Sequence, residues 1–151
     1  MMTSIPALTV CQPYAHLIAS GDKPVENRGW PTRYRGPLLI HAGKSRAWLD
    51  EGDELVCPEM AFGAFVAVVD LVACLPKAEP SQWGAWSHLL SHPHTHGAWC
   101  YVLENVRRIR PVPARGAQGL WRPDAELLRR VGAELAKVAP GAVLTAGGAR
   151  G

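Results

Sequence analysis

Apolar side chains along this chain fall mainly in short runs of aliphatic residues, a pattern typical of β-strands. These runs occupy residues 7–10, 25–30, 38–42, 62–75, 99–109 and 119–121. Within the fifth run, alternation places Trp99, Tyr101 and Leu103 on one face of a strand. The pattern predicts about five or six strands, including one long strand in the fourth run that Gly63 allows to bend.

Helical signals mark both ends of the chain. Pro13 suits the first position of a helix, and Gly21 is typical of a residue that ends one. Near the C-terminus, Asp124 is a favoured N-cap residue and precedes apolar positions at helical spacing. We therefore expect one helix after Pro13 and a second over about residues 124–139.

Shorter helices are expected after Ser45, carrying Trp48, and over about residues 82–90. Strands and helices do not alternate in a βαβ rhythm, so the chain is expected to be α+β. The architecture would be a mixed, mostly antiparallel β-barrel of about five to six strands with two to three flanking helices. The 151 residues suit one domain, with a core over about 5–122 and a frayed C-terminal tail.

Composition supports a folded chain outside the membrane. Apolar residues make up 48% and charged residues 19%, which is typical of globular proteins. The longest apolar stretch contains Gly63 and Asp70 and is too short for a membrane span. The N-terminus lacks the pattern of a secretion signal, so we expect a cytoplasmic location. The four cysteines form no CxxC pair and are expected to be half-buried thiols rather than disulfides or metal ligands.

Basic residues are distributed unevenly, although the net charge is only +3. Residues 23–46 contain six basic side chains and one acid, and residues 107–122 contain five arginines and no acid. A one-sided basic distribution suits an anionic ligand such as a phosphate backbone. Ordinary solvated surface is the alternative explanation.

Two N-terminal segments carry a more specific signal. Residues 8–15 read Leu-Thr-Val-Cys-Gln-Pro-Tyr-Ala, and residues 21–28 read Gly-Asp-Lys-Pro-Val-Glu-Asn-Arg. They resemble the signature of the ASCH family, a Gln-Pro-aromatic helix start followed by Gly-x-Lys-x-x-Glu-x-Arg. Residues 34–42, 63–71, 101–108 and 116–121 resemble the later strands of that family, in order. From these ordered matches the chain is identified as a member of the ASCH family.

The resemblance implies a PUA-like β-barrel with a cleft lined by the Gly-x-Lys-x-x-Glu-x-Arg segment. It also implies RNA binding, cleavage of single-stranded RNA, or removal of the acyl group from N4-acetylcytidine, and the fold does not choose among them. In the acetylcytidine-hydrolysing relatives, Lys23 is retained and threonine stands where this chain has Glu26. An acidic residue comes there from a later strand, and Asp70 is the nearest candidate in this chain.

Three interpretations of Lys23, Glu26 and Arg28 follow from their chemistry. In the first, Lys23 and Arg28 contact a phosphate or base edge while Glu26 orients the arginine or accepts from an exocyclic amine. In the second, a neutral Lys23 acts as nucleophile or base, which requires a lowered lysine pKa that burial and Arg28 would supply and Glu26 would oppose. In the third, Glu26 forms an ion pair with Arg28 or with Lys23 that only stabilises the turn.

The expected ligand-binding side chains extend beyond that segment. Trp30 and Tyr34 lie among arginines and prolines and are predicted to stack on bases, whereas Trp48, Trp99 and Trp121 are assigned to packing. The full predicted binding set is Gln12, Lys23, Arg28, Trp30, Tyr34, Arg35, His41 and Lys44.

A histidine cluster formed by His88, His92, His94 and His96 raises a zinc hypothesis. Pro93 interrupts it and no cysteine or aspartate completes the set, so a solvated loop is favoured and no metal or cofactor is expected. RNA or a nucleoside is the expected partner. A small hydrolase or ribonuclease, and a protein-interaction domain with an acidic partner, remain the alternatives.

Overall fold

The chain folds around a six-stranded curled sheet flanked by helices. The computed structural model describes residues 4–52, 57–142 and 144. Its strands are β1 (Ala7–Val10), β2 (Val25–Arg28), β3 (Gly36–Ala42), β4 (Ala64–Pro76), β5 (Trp99–Pro113) and β6 (Leu120–Trp121). The α-helices are α1 (Tyr14–Ser20) and α2 (Ala125–Val138), and 3-10 helices span Pro80–Gln82 and Gly84–Ser91.

The strand order is β2-β5-β4-β3-β1-β6, in which β1 and β3 pair in parallel and the other pairings described are antiparallel. This confirms the predicted α+β class with a mostly antiparallel sheet. Strand β4 begins only at Ala64, so Gly63 lies before the strand and does not bend it as expected. Irregularities in the β4–β5 register, at Phe65/Ala67, Val68/Asp70 and Leu71/Ala73, interrupt the ladder instead, and such bulges bend a strand.

Both faces of the sheet are covered by apolar side chains. Tyr101 and Leu103 are buried in one cluster together with Ile18 of α1, with Trp99 packed against it. On the other face, α2 contributes Leu128, Val131 and Leu135 to a second cluster. The alternation predicted for β5 is therefore confirmed, and the two helices hold opposite faces of the sheet.

The helix ends follow the sequence signals closely. Helix α1 begins at Tyr14, with Pro13 as the capping residue, and Gly21 ends it in the left-handed region at φ 88°. The side chain of Asp124 accepts a hydrogen bond of 2.9 Å from the Leu127 backbone N–H, as an N-cap residue does. None of the described helices is both long and apolar enough to cross a membrane.

The predicted helix after Ser45 is absent. The Ser45 hydroxyl accepts from the Ala47 backbone N–H at 3.2 Å, so a local side-chain turn replaces the helix. Trp48 is 61% exposed on this turn, contrary to its assignment to packing. Most of the predicted frayed tail (143 and 145–151) lies outside the described residues, and Leu144 is buried beside α2.

Candidate functional site

Three charged side chains form a largely buried cluster, with Lys23 in the connection between α1 and β2, and Glu26 and Arg28 on β2. Lys23 is 3% exposed and Glu26 is 7% exposed. The Glu26 carboxylate accepts a hydrogen bond of 2.8 Å from Arg28 and lies 3.6 Å from the ammonium of Lys23. Glu26 and Arg28 share a face of β2 because side chains two residues apart in a strand point the same way. One carboxylate therefore lies between two cations.

Contacts with the backbone complete the cluster. Lys23 Nζ donates to the carbonyl of Val25 at 2.7 Å, and Arg28 Nη2 donates to the carbonyl of Thr9 at 2.8 Å. Thr9 belongs to β1, which is separated from β2 by three strands in the sheet order. The curl of the sheet brings these strands together. Arg28 Nε is buried and has no hydrogen-bond partner among the described residues.

The environment of Lys23 lowers the pKa of its amine. Burial lowers the pKa of this amine, and Arg28 lowers the pKa further, whereas the charge and hydrogen bond of Glu26 raise it; the net direction is downward from 10.5. The ammonium also lies 5.5 Å from the centre of the Tyr14 ring. A lysine that acts as a base or nucleophile needs its pKa moved in this direction.

A cavity of about 290 Å³ opens onto this cluster. Its lining comprises Thr9, Val10, Cys11, Tyr14, Lys23, Glu26, Asn27, Arg28, Trp48 and His96. Tyr14 and the exposed Trp48 lie 6.5 Å apart between ring centres, at 57° to each other. Asn27 holds the histidine segment in place, since its side chain donates to the His94 carbonyl at 2.7 Å and accepts from the His96 N–H at 3.0 Å.

A larger cavity of about 930 Å³ lies on the other side of Thr9. His41 and Lys44, both predicted to bind ligand, line it together with Arg115 and Gly116. A Cβ on Gly116 would lie 2.8 Å from the imidazole of His41. A side chain at this position would therefore clash with the ring, and glycine allows the backbone to pass close to it.

His41 is almost completely buried at the wall of this cavity. Its Nε2 lies 2.7 Å from the carbonyl of Ala114, and its Nδ1 lies 3.2 Å from the hydroxyl of Thr9. These partners assign the Nε2–H tautomer, with Nδ1 accepting from the hydroxyl. Burial is the main cause of a lowered His41 pKa, which keeps the ring neutral at physiological pH. Through these two hydrogen bonds His41 stabilises the wall of the larger cavity.

The model of the ASCH domain family matches residues 8–113. This chain belongs to the ASCH domain family. Human and mouse "Activating signal cointegrator 1" are similar to it, at 26% and 25% identity over 135 residues, or 80% of this chain. The chain spans about a fifth (22%) of the length of those relatives.

A solved structure of an ASCH protein from Zymomonas mobilis shares the fold of this ASCH domain. The two superpose with a TM-score of 0.54 at 17% identity, covering 85% of this chain and 93% of the other. The sequence-based assignment to the ASCH family and to a PUA-like α+β fold is thereby confirmed.

Other predicted site residues of this ASCH domain lie elsewhere. Gln12 is fully buried and lines neither cavity described above; its amide donates to the Ala61 carbonyl at 2.7 Å and accepts from the His16 N–H at 2.9 Å. Asp70 pairs with Arg107 at 2.6 Å and is absent from the described lining of the Lys23 cavity. These contacts are structural, and a role for either residue in ligand chemistry stays a prediction.

The predicted stacking and basic residues around β3 also have protein partners. Trp30 is 38% exposed and packs edge-on against Tyr101, with ring centres 5.6 Å apart. The Tyr34 hydroxyl donates to the Pro37 carbonyl at 2.6 Å, and Arg35 donates to two backbone carbonyls. None of the three is in the described lining of the Lys23 cavity.

Sequence reasoning assigned no ligand role to Trp48, His96 and Asn27, which line the cavity. Trp48 had a usable signal, since a tryptophan on a short polar turn has little to pack against. The four clustered histidines do not gather as a set of metal ligands in the described structure, although the rings of His92 and His94 lie 5.6 Å apart.

Proposed function

We propose that this ASCH domain binds single-stranded RNA or a nucleoside, with one base in the cavity beside Lys23. The observation that carries the proposal is the buried Lys23–Glu26–Arg28 cluster at the base of a small cavity. A base edge presents both donors and acceptors. Glu26 suits an exocyclic amine, while Lys23 and the guanidinium of Arg28, which also line the cavity, suit a ring nitrogen or carbonyl.

The mouth of the cavity supports the same assignment. Tyr14 and Trp48 supply aromatic faces there, and Trp48 is exposed in the free protein. Aromatic platforms of this kind bind unpaired bases by stacking, which is the usual way proteins recognise single-stranded RNA. The volume of about 290 Å³ lies near the lower end of small-molecule sites and suits a single nucleoside.

The neighbouring larger cavity provides a path for the phosphate backbone. Lys44 and Arg115 are exposed at its edge, and neither forms an ion pair with a described carboxylate. Thr9 lines both cavities, so a nucleotide beside Lys23 has its next phosphate directed toward these two cations. Unpaired cations beside a base site are what phosphate binding requires.

Loss of the two cations should weaken RNA binding in a salt-dependent way. Lys44→Gln combined with Arg115→Gln is expected to lower the slope of log affinity against log salt by about 1.4, or about 0.7 for each single-strand phosphate contact. Fluorescence anisotropy with a short single-stranded RNA across a potassium chloride series measures this slope. The weakening should be similar for different RNA sequences.

A matched control removes the same charge from α2. Arg129→Gln with Lys137→Gln changes two exposed residues of that helix and should leave the slope close to that of the wild type. Equal slopes for the cavity and helix variants would exclude the phosphate path. If the wild type retains no RNA even at low salt, the binding proposal itself fails, and a protein partner for the arginine-rich surface becomes the alternative.

Hydrolysis of an N4-acylated cytidine is the second candidate, and the burial of Lys23 in the cavity lining, which lowers the pKa of its amine, is the observation that favours it. In this reaction water adds to the acyl carbonyl, the C–N4 bond breaks, and the exocyclic nitrogen receives a proton. A neutral Lys23 takes the proton from water and returns it to the leaving nitrogen. Glu26, where the known hydrolases have threonine, orients the amine or the water.

Incubation with N4-acetylcytidine, read by mass spectrometry, tests the hydrolase directly. Lys23→Met is expected to reduce acetate release at least about 100-fold, in the range typical of general acid–base groups. Lys23→Arg keeps the positive charge but cannot lose its proton, so it should bind nucleoside without turnover. Absence of acetate release by the wild type removes this candidate and leaves the binding proposal intact. Short single-stranded RNA in the same panel reports ribonuclease cleavage.

We also propose a cytoplasmic location for this function. Each of the four cysteines, Cys11, Cys57, Cys74 and Cys100, is a free thiol in the structure. Unpaired thiols are typical of reducing compartments.

A further inference from the structure

We propose that His16, Cys57 and Glu59 form a binding site for Zn²⁺, separate from the nucleotide cavity. One ligand atom from each residue (an imidazole nitrogen, the thiol sulfur and a carboxylate oxygen) lies within 4.8 Å of the other two. None of the three lines the cavity beside Lys23. From the sequence no metal was expected, because the cysteines form no CxxC pair and Pro93 interrupts the histidine cluster.

The fold holds the two halves of this site together through Gln12. The carbonyl of its fully buried side chain accepts from the His16 backbone N–H at 2.9 Å, and its amide donates to the Ala61 carbonyl at 2.7 Å. Helix α1 is thus joined to the segment that carries Cys57 and Glu59. Gln12 belongs to the Gln-Pro start of the family signature. Its two hydrogen bonds give it a structural role that involves no contact with a ligand.

A tight turn sets the positions of the other two ligands. The Met60 backbone N–H donates to the Cys57 carbonyl at 3.0 Å, closing a four-residue turn around Pro58 and Glu59. Met60 is buried and anchors the end of the turn. Cys57 and Glu59 consequently approach His16 from one short, connected segment.

The donor set matches the preferences of zinc. Nitrogen, thiolate sulfur and carboxylate oxygen are its usual ligands, at about 2.0–2.3 Å, which places ligand atoms about 3.3–3.7 Å apart in a tetrahedron. The atoms seen here need to approach one another by at most about 1.5 Å, which side-chain rotation at a surface turn can supply. Mixed sulfur and nitrogen ligation favours Zn²⁺ over Mg²⁺ or Ca²⁺, which take oxygen ligands. Three protein ligands leave the fourth position for water.

Nearby arginines modify the charge balance of the site. Arg108 and Arg110 line a small cavity together with His16 and Glu59. Their positive charge opposes a free cation at this position. Thiolate and carboxylate together offset the charge of one divalent ion, so the arginines face a neutral metal centre.

Metal titration of the purified, chelator-treated full chain tests the site. Zn²⁺ should bind with 1:1 stoichiometry in calorimetry and raise the midpoint of thermal unfolding, because a ligand that binds only the folded state stabilises it. Co²⁺ in place of Zn²⁺ should produce the near-ultraviolet charge-transfer absorption of a cobalt–thiolate bond. Cys57→Ser should abolish that absorption and weaken Zn²⁺ binding at least about 100-fold, as expected for loss of a direct ligand.

Control variants separate this site from other donors in the chain. Cys74→Ser removes another half-buried thiol and His88→Ala removes an exposed histidine, and both should leave metal binding unchanged. Glu59→Gln, at an exposed position, keeps the inference testable if Cys57→Ser or His16→Ala lowers stability. Absence of Zn²⁺ binding by the wild type, or unchanged binding in both Cys57→Ser and Glu59→Gln, would overturn the proposal. Either result leaves the RNA-binding proposal untouched.

Discussion

Replacement of Glu26 by alanine is expected to lower the free energy of unfolding by about 3 kcal/mol. Glu26 is the carboxylate between Lys23 and Arg28, at 3.6 and 2.8 Å. Removing it leaves two cations together without a counter-charge, and breaking a buried ion pair in this way costs about 3–5 kcal/mol. The lower end of that range applies because Arg28 remains partly exposed. Urea denaturation followed by tryptophan fluorescence measures the change.

Two further variants show whether the cost comes from the unpaired lysine. The double variant Glu26→Ala with Lys23→Met removes the buried cation and should recover part of the loss, which a double-mutant cycle quantifies. Glu104 lies on β5 with an exposed side chain, and Glu104→Ala should change stability by less than about 0.5 kcal/mol. If Glu26→Ala costs no more than Glu104→Ala, the charged cluster does not hold this part of the fold.

Replacement of Trp48 by alanine is expected to weaken single-stranded RNA binding by about 1–3 kcal/mol, or roughly 5- to 150-fold. Trp48 is 61% exposed and lies at the mouth of the Lys23 cavity opposite Tyr14. Its indole face is therefore open to a stacked base, while its removal takes little from the core. Anisotropy titrations should show the loss, and the unfolding midpoint should remain near that of the wild type.

Trp30→Ala provides a discriminating comparison. The sequence alone favours Trp30 as a stacking residue, whereas the structure packs it edge-on against Tyr101, away from the cavity lining described here. Trp30→Ala is expected to reduce stability more than RNA affinity. A stronger binding defect in Trp30→Ala than in Trp48→Ala would move the base site to the surface near β3 and contradict the cavity assignment.

The local sequence signals were sufficient for most elements of the fold. Gly21 and Asp124 end and begin helices as predicted, because a left-handed residue and a side-chain cap act on their nearest neighbours. The alternation along β5 was also confirmed, because it too depends only on successive residues of one strand. Prediction failed after Ser45, where a serine turn satisfies the backbone without a helix. A capping residue cannot by itself show whether a helix follows.

The arrangement of the site residues was likewise only partly predictable from the sequence. The spacing of Glu26 and Arg28, two residues apart in a strand, is enough to place their side chains on one face, and the structure places both next to Lys23. Spacing could not show that the buried Gln12 side chain hydrogen-bonds to Ala61 or that Asp70 pairs with Arg107, since both partners are distant in sequence. The exposed position of Trp48 likewise depends on how the turn lies against Tyr14.

By itself, the sequence determined the ASCH family, the α+β fold and the triad of charged residues, because each depends on ordered short-range patterns. Only the tertiary structure decided that Lys23 is buried, and burial lowers its pKa. The curl of the sheet brings β1 beside β2, so the Thr9 carbonyl accepts a hydrogen bond from Arg28 and Thr9 lines both cavities. Burial and cavity shape are set by contacts between segments far apart in the chain, and no local pattern records them.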